Sequence, residues 1–125
     1  MLLAMNAQEL GQLMVELNRA NDTRKLLDEH YADDAVSIEA MDMGRGREAV
    51  GLAAIVEKHQ WWEESMIMHS MEVEGPFPHG EDRFAIIYES DIEVKGLGMR
   101  RKVREVAIYD MKDGKIVREE FFYSV

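Results

Sequence analysis

The spacing of apolar positions changes once along the chain, near Ser65. Before that point it is helical. Across residues 8–18, Leu10, Leu13, Met14 and Leu17 recur at i, i+3, i+4 and i+7, which places them on one face of a helix. Asn21-Asp22 interrupts this pattern, and Asp22 is expected to cap a second helix with Leu26, Leu27 and Tyr31 facing inward. Asp33-Asp34 ends that helix, residues 36–40 read as a short strand, and Gly44 and Gly46 mark a loop. A third helix is expected over residues 47–62, lined by Val50, Leu52, Ala53, Ala54, Ile55 and Val56. From Glu64 onward the period is two. It predicts strands over residues 65–74, 83–94, 99–111 and 115–123, with turns at residues 75–80 and 96–98. Helices first and an antiparallel meander last imply one α+β domain over residues 1–125, three N-terminal helices packed on one face of a curled antiparallel sheet.

The last turn sets which side chains share a face. Read as a three-residue loop with Gly114 in the left-handed region, Lys112-Asp113-Gly114 pairs Met111 with Lys115 and Glu105 with Phe121. A two-residue loop would shift this by one and flip one strand against the other. On the three-residue register one face carries Glu105, Ala107, Tyr109, Val117, Glu119, Phe121 and Tyr123. The other carries Val106, Ile108, Ile116, Arg118 and Phe122. Both faces are half apolar, whereas a sheet with one solvated face alternates more cleanly. The second face is therefore expected to meet a twofold-related copy of the chain. On the preceding strands Phe84, Ile86, Tyr88 and Ile92 share an inward face, as do Ile67, His69, Met71 and Val73. Turn lengths then allow a row His69–Tyr88–Glu105.

Composition narrows the function classes. There are 125 residues, 46% hydrophobic and 32% charged, with no cysteine, which excludes disulfides and thiolate metal sites and fits a cytosolic protein. The net charge of −10 argues against nucleic acid, which needs a dominant basic patch. The cluster Arg100-Arg101-Lys102 with Arg104 sits among acids and reads as a charged strand edge. The leading Met1-Leu2-Leu3-Ala4-Met5 lacks the basic and apolar regions of a signal peptide, and no apolar run reaches membrane length. No two histidines have the spacing of a helical metal site, Gly44-x-Gly46 lacks the context of a dinucleotide fingerprint, and no nucleophile elbow or Walker loop is present. No cofactor or metal is expected.

The candidate chemistry is that of carboxylates in apolar surroundings. Glu105 stands among Val103, Val106, Ala107 and Ile108, and an inward carboxylate there should have a raised pKa. Its alternative is a surface pair with Arg104 or Arg118. His69 is either a proton shuttle or a hydrogen-bonded core histidine. Tyr88, Tyr109 and Tyr123 could each donate to an oxyanion. Trp61 and Trp62 could wall a pocket mouth. Met71 belongs, with Met41, Met43, Met66, Met68, Met99 and Met111, to a soft set suited to apolar ligands. Glu119, Phe121 and Tyr123 complete the expected lining.

Residues 31–36 (Tyr-Ala-Asp-Asp-Ala-Val), the loop and helix start at residues 44–50, and the tail at residues 105–123 resemble the cone-shaped α+β fold of nuclear transport factor 2, ketosteroid isomerase and the SnoaL-like polyketide cyclases. The resemblance implies a pocket between sheet and helices and a homodimer joined through the sheets. In ketosteroid isomerase the strand after the Ala-Asp-Asp-Ala stretch carries the proton-moving carboxylate, and the matching position here is Glu39. The isomerase's oxyanion tyrosine on the first helix corresponds to Met14 or Val15, neither of which can donate. Its neutral acid on the next-to-last strand falls near Ala107, two residues from Glu105 on the same face. The resemblance thus implies proton transfer on a small apolar carbonyl compound by Glu105 or Glu39, with His69 and Tyr88 polarising or relaying. The alternative is a non-catalytic ligand-binding or dimerisation module.

Overall fold

A computed structural model describes residues 4–124; the Met1-Leu2-Leu3 part of the segment read above as no signal peptide lies outside the described residues, as does Val125. Three helices, α1 (Ala7–Arg19), α2 (Thr23–His30) and α3 (Leu52–Ser65), accompany six strands, β1 (Tyr31–Ile38), β2 (Glu48–Val50), β3 (Met66–Pro78), β4 (Arg83–Val94), β5 (Met99–Lys112) and β6 (Lys115–Phe122). One sheet has the order β2-β1-β6-β5-β4-β3. All neighbours are antiparallel except β1 and β6, which run parallel because the helical half of the chain precedes the meander and β1 must dock on its last strand.

Helix α1 starts on a capping box, with Asn6 accepting from the Glu9 N–H at 2.9 Å and Glu9 accepting from the Asn6 N–H at 3.2 Å. Its buried Leu10, Gly11, Met14 and Val15 face the sheet. Gly11 permits the close approach, since a Cβ there would meet the Pro76 Cβ at 2.5 Å. Asp22 occupies the N-cap of α2 but makes no side-chain capping bond. The helix ends at His30, not at Asp33-Asp34, so Tyr31, expected on its inward face, instead opens β1. The third helix starts later than expected. Glu48–Val50 pairs with β1 as a short edge strand, and Gly51 (φ 91°) turns the chain into α3. The expected 75–80 turn is likewise displaced, because β3 runs on to Pro78.

The β5–β6 hairpin departs from the expected loop. Lys112 pairs with Lys115, so the loop is Asp113-Gly114, and both residues have positive φ (52° and 77°), the two-residue type that an Asp-Gly pair favours. That loop alone would put Arg118 and Glu120 on the buried face. A bulge between Asp110 and Met111 shifts the register once more, so Tyr109 faces Glu119 and Ala107 faces Phe121. The two shifts together move the pairing by two residues and preserve the face that the alternation demanded. Ile116, before the bulge, turns into the core instead of outward. On β3 Val73, not His69, lies opposite Tyr88, because that strand runs on to Pro78 and its hairpin closes with Pro78 opposite Phe84, past the expected turn. The basic cluster lies on the part of β5 that pairs with β4 alone, since the pairing with β6 begins only at Val106, and there Arg100 bonds Asp91 (2.9 and 3.0 Å) and Arg104 bonds Glu89 (2.6 Å).

The core gathers Leu10, Met14, Val15, Leu26, Leu27, Ile55, Phe84, Ile86, Ala107 and Ile116 between the helices and the concave face. Phe84 stacks on Tyr109 with centroids 5.0 Å apart. The methionines divide. Met66 and Met111 are buried and Met71 packs on the core, but Met43, Met68 and Met99 are exposed, so the expected soft lining does not form.

Candidate active site

The concave face brings together a polar cluster at the centre of the sheet. Tyr88 on β4 faces Glu105 on β5, as the sequence indicated. One step along β5 toward its end, Ala107 faces Phe121, and Tyr109 faces Glu119. On the other flank of β6, Ser37 of β1 lies beside Glu119. The small Ala107 thus sits between Glu105 and the Tyr109–Glu119 pair. Helix α3 places Lys58 over this face. Its ammonium donates to Ser37 Oγ and, at 2.9 Å, to Glu39 Oε1, and lies 5.2 Å from the Phe121 ring centroid.

Glu39 is half-buried and both its oxygens are engaged, Oε2 accepting from the Tyr123 hydroxyl at 3.0 Å. It anchors Lys58 and Tyr123. Glu105 differs: the described side chains offer it no hydrogen bond or ion pair. Arg104 turns to Glu89 and Glu74, and Arg118 to Asp110 and Glu120, so neither forms the surface pair that was the alternative for Glu105. Burial, reinforced by the charges of Glu39 and Glu119 and opposed by Lys58, pushes the Glu105 carboxyl up from 4.5 to about 7. That is the range in which a carboxyl both gives and takes a proton near neutrality.

Behind Glu105 lies a buried network. The Tyr88 and Tyr109 hydroxyls are 2.8 Å apart, and Asn18 Nδ2 donates to the Met14 carbonyl at 2.8 Å and to the Tyr88 hydroxyl at 3.4 Å. The Tyr31 hydroxyl donates to Glu119 Oε2, while Glu119 Oε1 has no partner among the described residues. Burial holds the phenols of Tyr31, Tyr88 and Tyr109 well above their ordinary value, so all three are neutral donors. The polar residue contributed by the first helix is therefore Asn18, one turn past Met14.

His69 stands apart. It is exposed at the β3 bulge and bonds Glu93 at 2.8 Å, so it joins neither Tyr88 nor Glu105. Trp61 is half-buried beneath the Arg45 guanidinium, 5.7 Å from its ring, and Trp62 is half-buried beside it on α3. Sequence reasoning missed Lys58, Ser37, Tyr31, Asn18 and His59. His59 carries an imidazole pushed below its ordinary value by burial and lines a groove of about 240 Å³ between α2 and α3, with Leu27, Val56 and Glu63. Among the described residues no cluster of three or more histidine, aspartate or glutamate side chains is arranged to hold a metal ion. No described helix is long and apolar enough to cross a membrane.

An α+β domain with three helices on a curved six-stranded sheet, and tyrosines and carboxyls gathered on its concave side, has the cone fold of nuclear transport factor 2 and ketosteroid isomerase. The SnoaL-like domain matches residues 5–123, and the chain belongs to that family. It is similar to a crystal structure from Mesorhizobium loti provisionally named a SnoaL-like polyketide cyclase, with 37% identity over 90% of this chain and 94% of that one and a TM-score of 0.84. A provisionally named isomerase from Rhodopseudomonas palustris shares the fold at 16% identity (TM-score 0.70; 90% and 89% of the two chains). So does a computationally designed 17-OHP binder, at 22% identity (TM-score 0.70; 91% and 89%). Among curated proteins, none matches the chain.

Proposed function

We propose that this protein is a cofactor-independent acid–base enzyme of the isomerase or polyketide cyclase kind, acting on a small apolar carbonyl compound held in the cone. The observation that carries the reading is Glu105, an inward carboxyl without an ion-pair partner among the described residues, raised to about 7 and facing neutral Tyr88. Glu105 removes a proton from the carbon next to the carbonyl. The electron pair moves to the carbonyl oxygen, and the proton returns at another carbon, or the enolate attacks a second carbonyl. Two phenols that share one hydrogen bond leave one O–H proton over, so the Tyr88–Tyr109 pair can donate to the developing oxyanion. Glu39 keeps Lys58 and Tyr123 in place, and Phe121 and Met71 add apolar lining. The outer sheet face, with Ile87, Val106 and Ile108 half-buried and Phe122 exposed, receives a second copy of the chain, which sedimentation would report as a dimer.

The test follows exchange of α-protons for deuterium on simple apolar ketones such as 2-heptanone by NMR. The reading expects protein-dependent exchange that falls by 100-fold or more, on the order expected for losing a general base, in Glu105→Gln. Binding of such probes without exchange would replace the enzyme by the alternative, a non-catalytic ligand-binding module. Exchange unaffected by Glu105→Gln would remove Glu105 as the base.

A further inference from the structure

The phenols of the proposed site lie under cover. Tyr88 is 6% exposed, Tyr109 2% and Ala107 0%, so a ligand that reaches them must first displace something. The cover on the helix side is the second half of α3, and it is weakly seated. Ile55 is fully buried, but from Val56 to Ser65 every residue is half-buried or exposed. A segment with so little buried apolar surface opens at low cost. Side chains hold it down instead. Lys58 donates to Ser37 Oγ and Glu39 Oε1 on the inside. On the outside Arg45, from the loop between β1 and β2, reaches Glu57 at 2.9 Å and sets its guanidinium 5.7 Å from the Trp61 ring centroid. Glu57 and Trp61 are four residues apart and share one face of the helix. The loop presents this arginine on a defined frame. At its base the Glu39 N–H donates to the Arg47 carbonyl at 2.7 Å and Arg47 Nε to the Glu39 carbonyl at 3.0 Å. At its tip Asp42 Oδ1 accepts from the Gly44 and Gly46 N–H groups at 2.7 and 2.9 Å, and Met43 Sδ lies 3.9 Å from the Tyr123 hydroxyl. Residues 42–48 are exposed, and a Cβ built on Gly44 or Gly46 would meet nothing within 4 Å, so the tip is free to swing.

We propose that Arg45 is a clasp that closes the cone: held by Glu57 and Trp61, it ties the β1–β2 loop to the second half of α3 above Glu39, Lys58 and Tyr123, and its release lets loop and helix part and admits a ligand to Glu105 and Tyr88. The Arg45 and Glu57 side chains are both exposed, so the tie is weak, sensitive to salt and easily remade. An exposed ion pair and a cation–π contact together favour the closed arrangement by roughly 3- to 30-fold. Arg45 touches no reacting atom; it sets how often the site is open. The inference concerns access to the site read above as acid–base, and it rests on that reading only for what enters.

The experiment follows three NMR signals of the whole chain without ligand: the Met43 methyl, the Trp61 indole N–H, and the Glu105 side-chain carboxyl in the presence of a small neutral nitroxide that probes access. Relaxation dispersion is expected to show Met43 and Trp61 exchanging at one common rate. Arg45→Gln moves both signals toward their minor-state positions and raises the paramagnetic relaxation of the Glu105 carboxyl by about 3-fold or more. Arg45→Lys, which keeps the charge without the planar guanidinium, falls between the two. Sodium chloride at about 0.5 M produces the same changes in the wild type and much smaller ones in Arg45→Gln. A lost surface pair with no part in closure would leave the nitroxide's access to Glu105 as it was. Unrelated exchange rates at Met43 and Trp61, or a Glu105 relaxation that neither Arg45→Gln nor salt changes, overturns the proposal. Simple ketones that neither bind nor exchange their protons would fail the acid–base reading alone, since none of the three signals depends on a ligand.

Discussion

Replacing Glu105 by glutamine should make the protein more stable at alkaline pH. The native carboxyl is held near 7 where an ordinary glutamate sits at 4.5, so the folded state binds a proton that the unfolded chain has released. Stability therefore falls as pH rises from about 4.5 to about 7 and stays low above that, because the folded state must then carry an unpaired buried charge. A displacement from 4.5 to about 7, at about 1.4 kcal/mol per unit, amounts to about 3 kcal/mol, an upper figure since the side chain is only partly sealed from solvent. Glutamine resembles the protonated carboxyl and breaks no hydrogen bond found for Glu105. Glu105→Gln should match wild type near pH 4 and exceed it by up to about 3 kcal/mol at pH 8, or roughly 10 °C in Tm for a domain of this size. Urea unfolding of both proteins at pH 4, 6 and 8 measures this directly. The histidines cancel in the difference. A gap independent of pH, or a variant weaker than wild type at pH 8, would refute the reasoning.

Three further substitutions test the surroundings. Gly11→Ala should cost about 1–3 kcal/mol in urea unfolding despite alanine's better helix propensity, because the new Cβ meets the Pro76 ring at 2.5 Å. Tyr31→Phe removes the hydrogen bond that Tyr31 gives to Glu119 and should cost about 1–3 kcal/mol by the same assay; a neutral result would mean that the network closes without Tyr31. Lys58→Met removes the one charge that lowers the Glu105 pKa, so the Glu105 midpoint should move above its wild-type value in a carboxyl ¹³C titration.

Much of this architecture is legible in the residues. Alternation along β4 and β5 placed Tyr88 beside Glu105, since both strands join through a turn that keeps one uninterrupted register. Periodicity located α1 and the four meander strands to within a few residues. The β5–β6 face survived a wrong turn assignment, because burying Tyr109, Glu119 and Phe121 together is what the bulge accomplishes. What was not legible follows from the same physics. Bulges at His69 and beyond Gly114 leave no composition mark, and the run of β3 through Pro76 to Pro78, where a turn was expected, slid His69 out of the expected row. Glu48–Val50 continues the apolar run of α3, so nothing in its residues separates an edge strand from a helix start. The site's helical contributors, Asn18, Lys58 and His59, are polar residues on amphipathic stretches. Their inward direction depends on how each helix crosses the sheet, which period alone does not specify.

The central claim is that Glu105 titrates near neutrality inside the cone. A ¹³C titration of the Glu105 side-chain carboxyl in the whole chain tests it without any ligand. The account predicts a midpoint close to 7; a midpoint near 4.5, alongside the exposed glutamates, would contradict it.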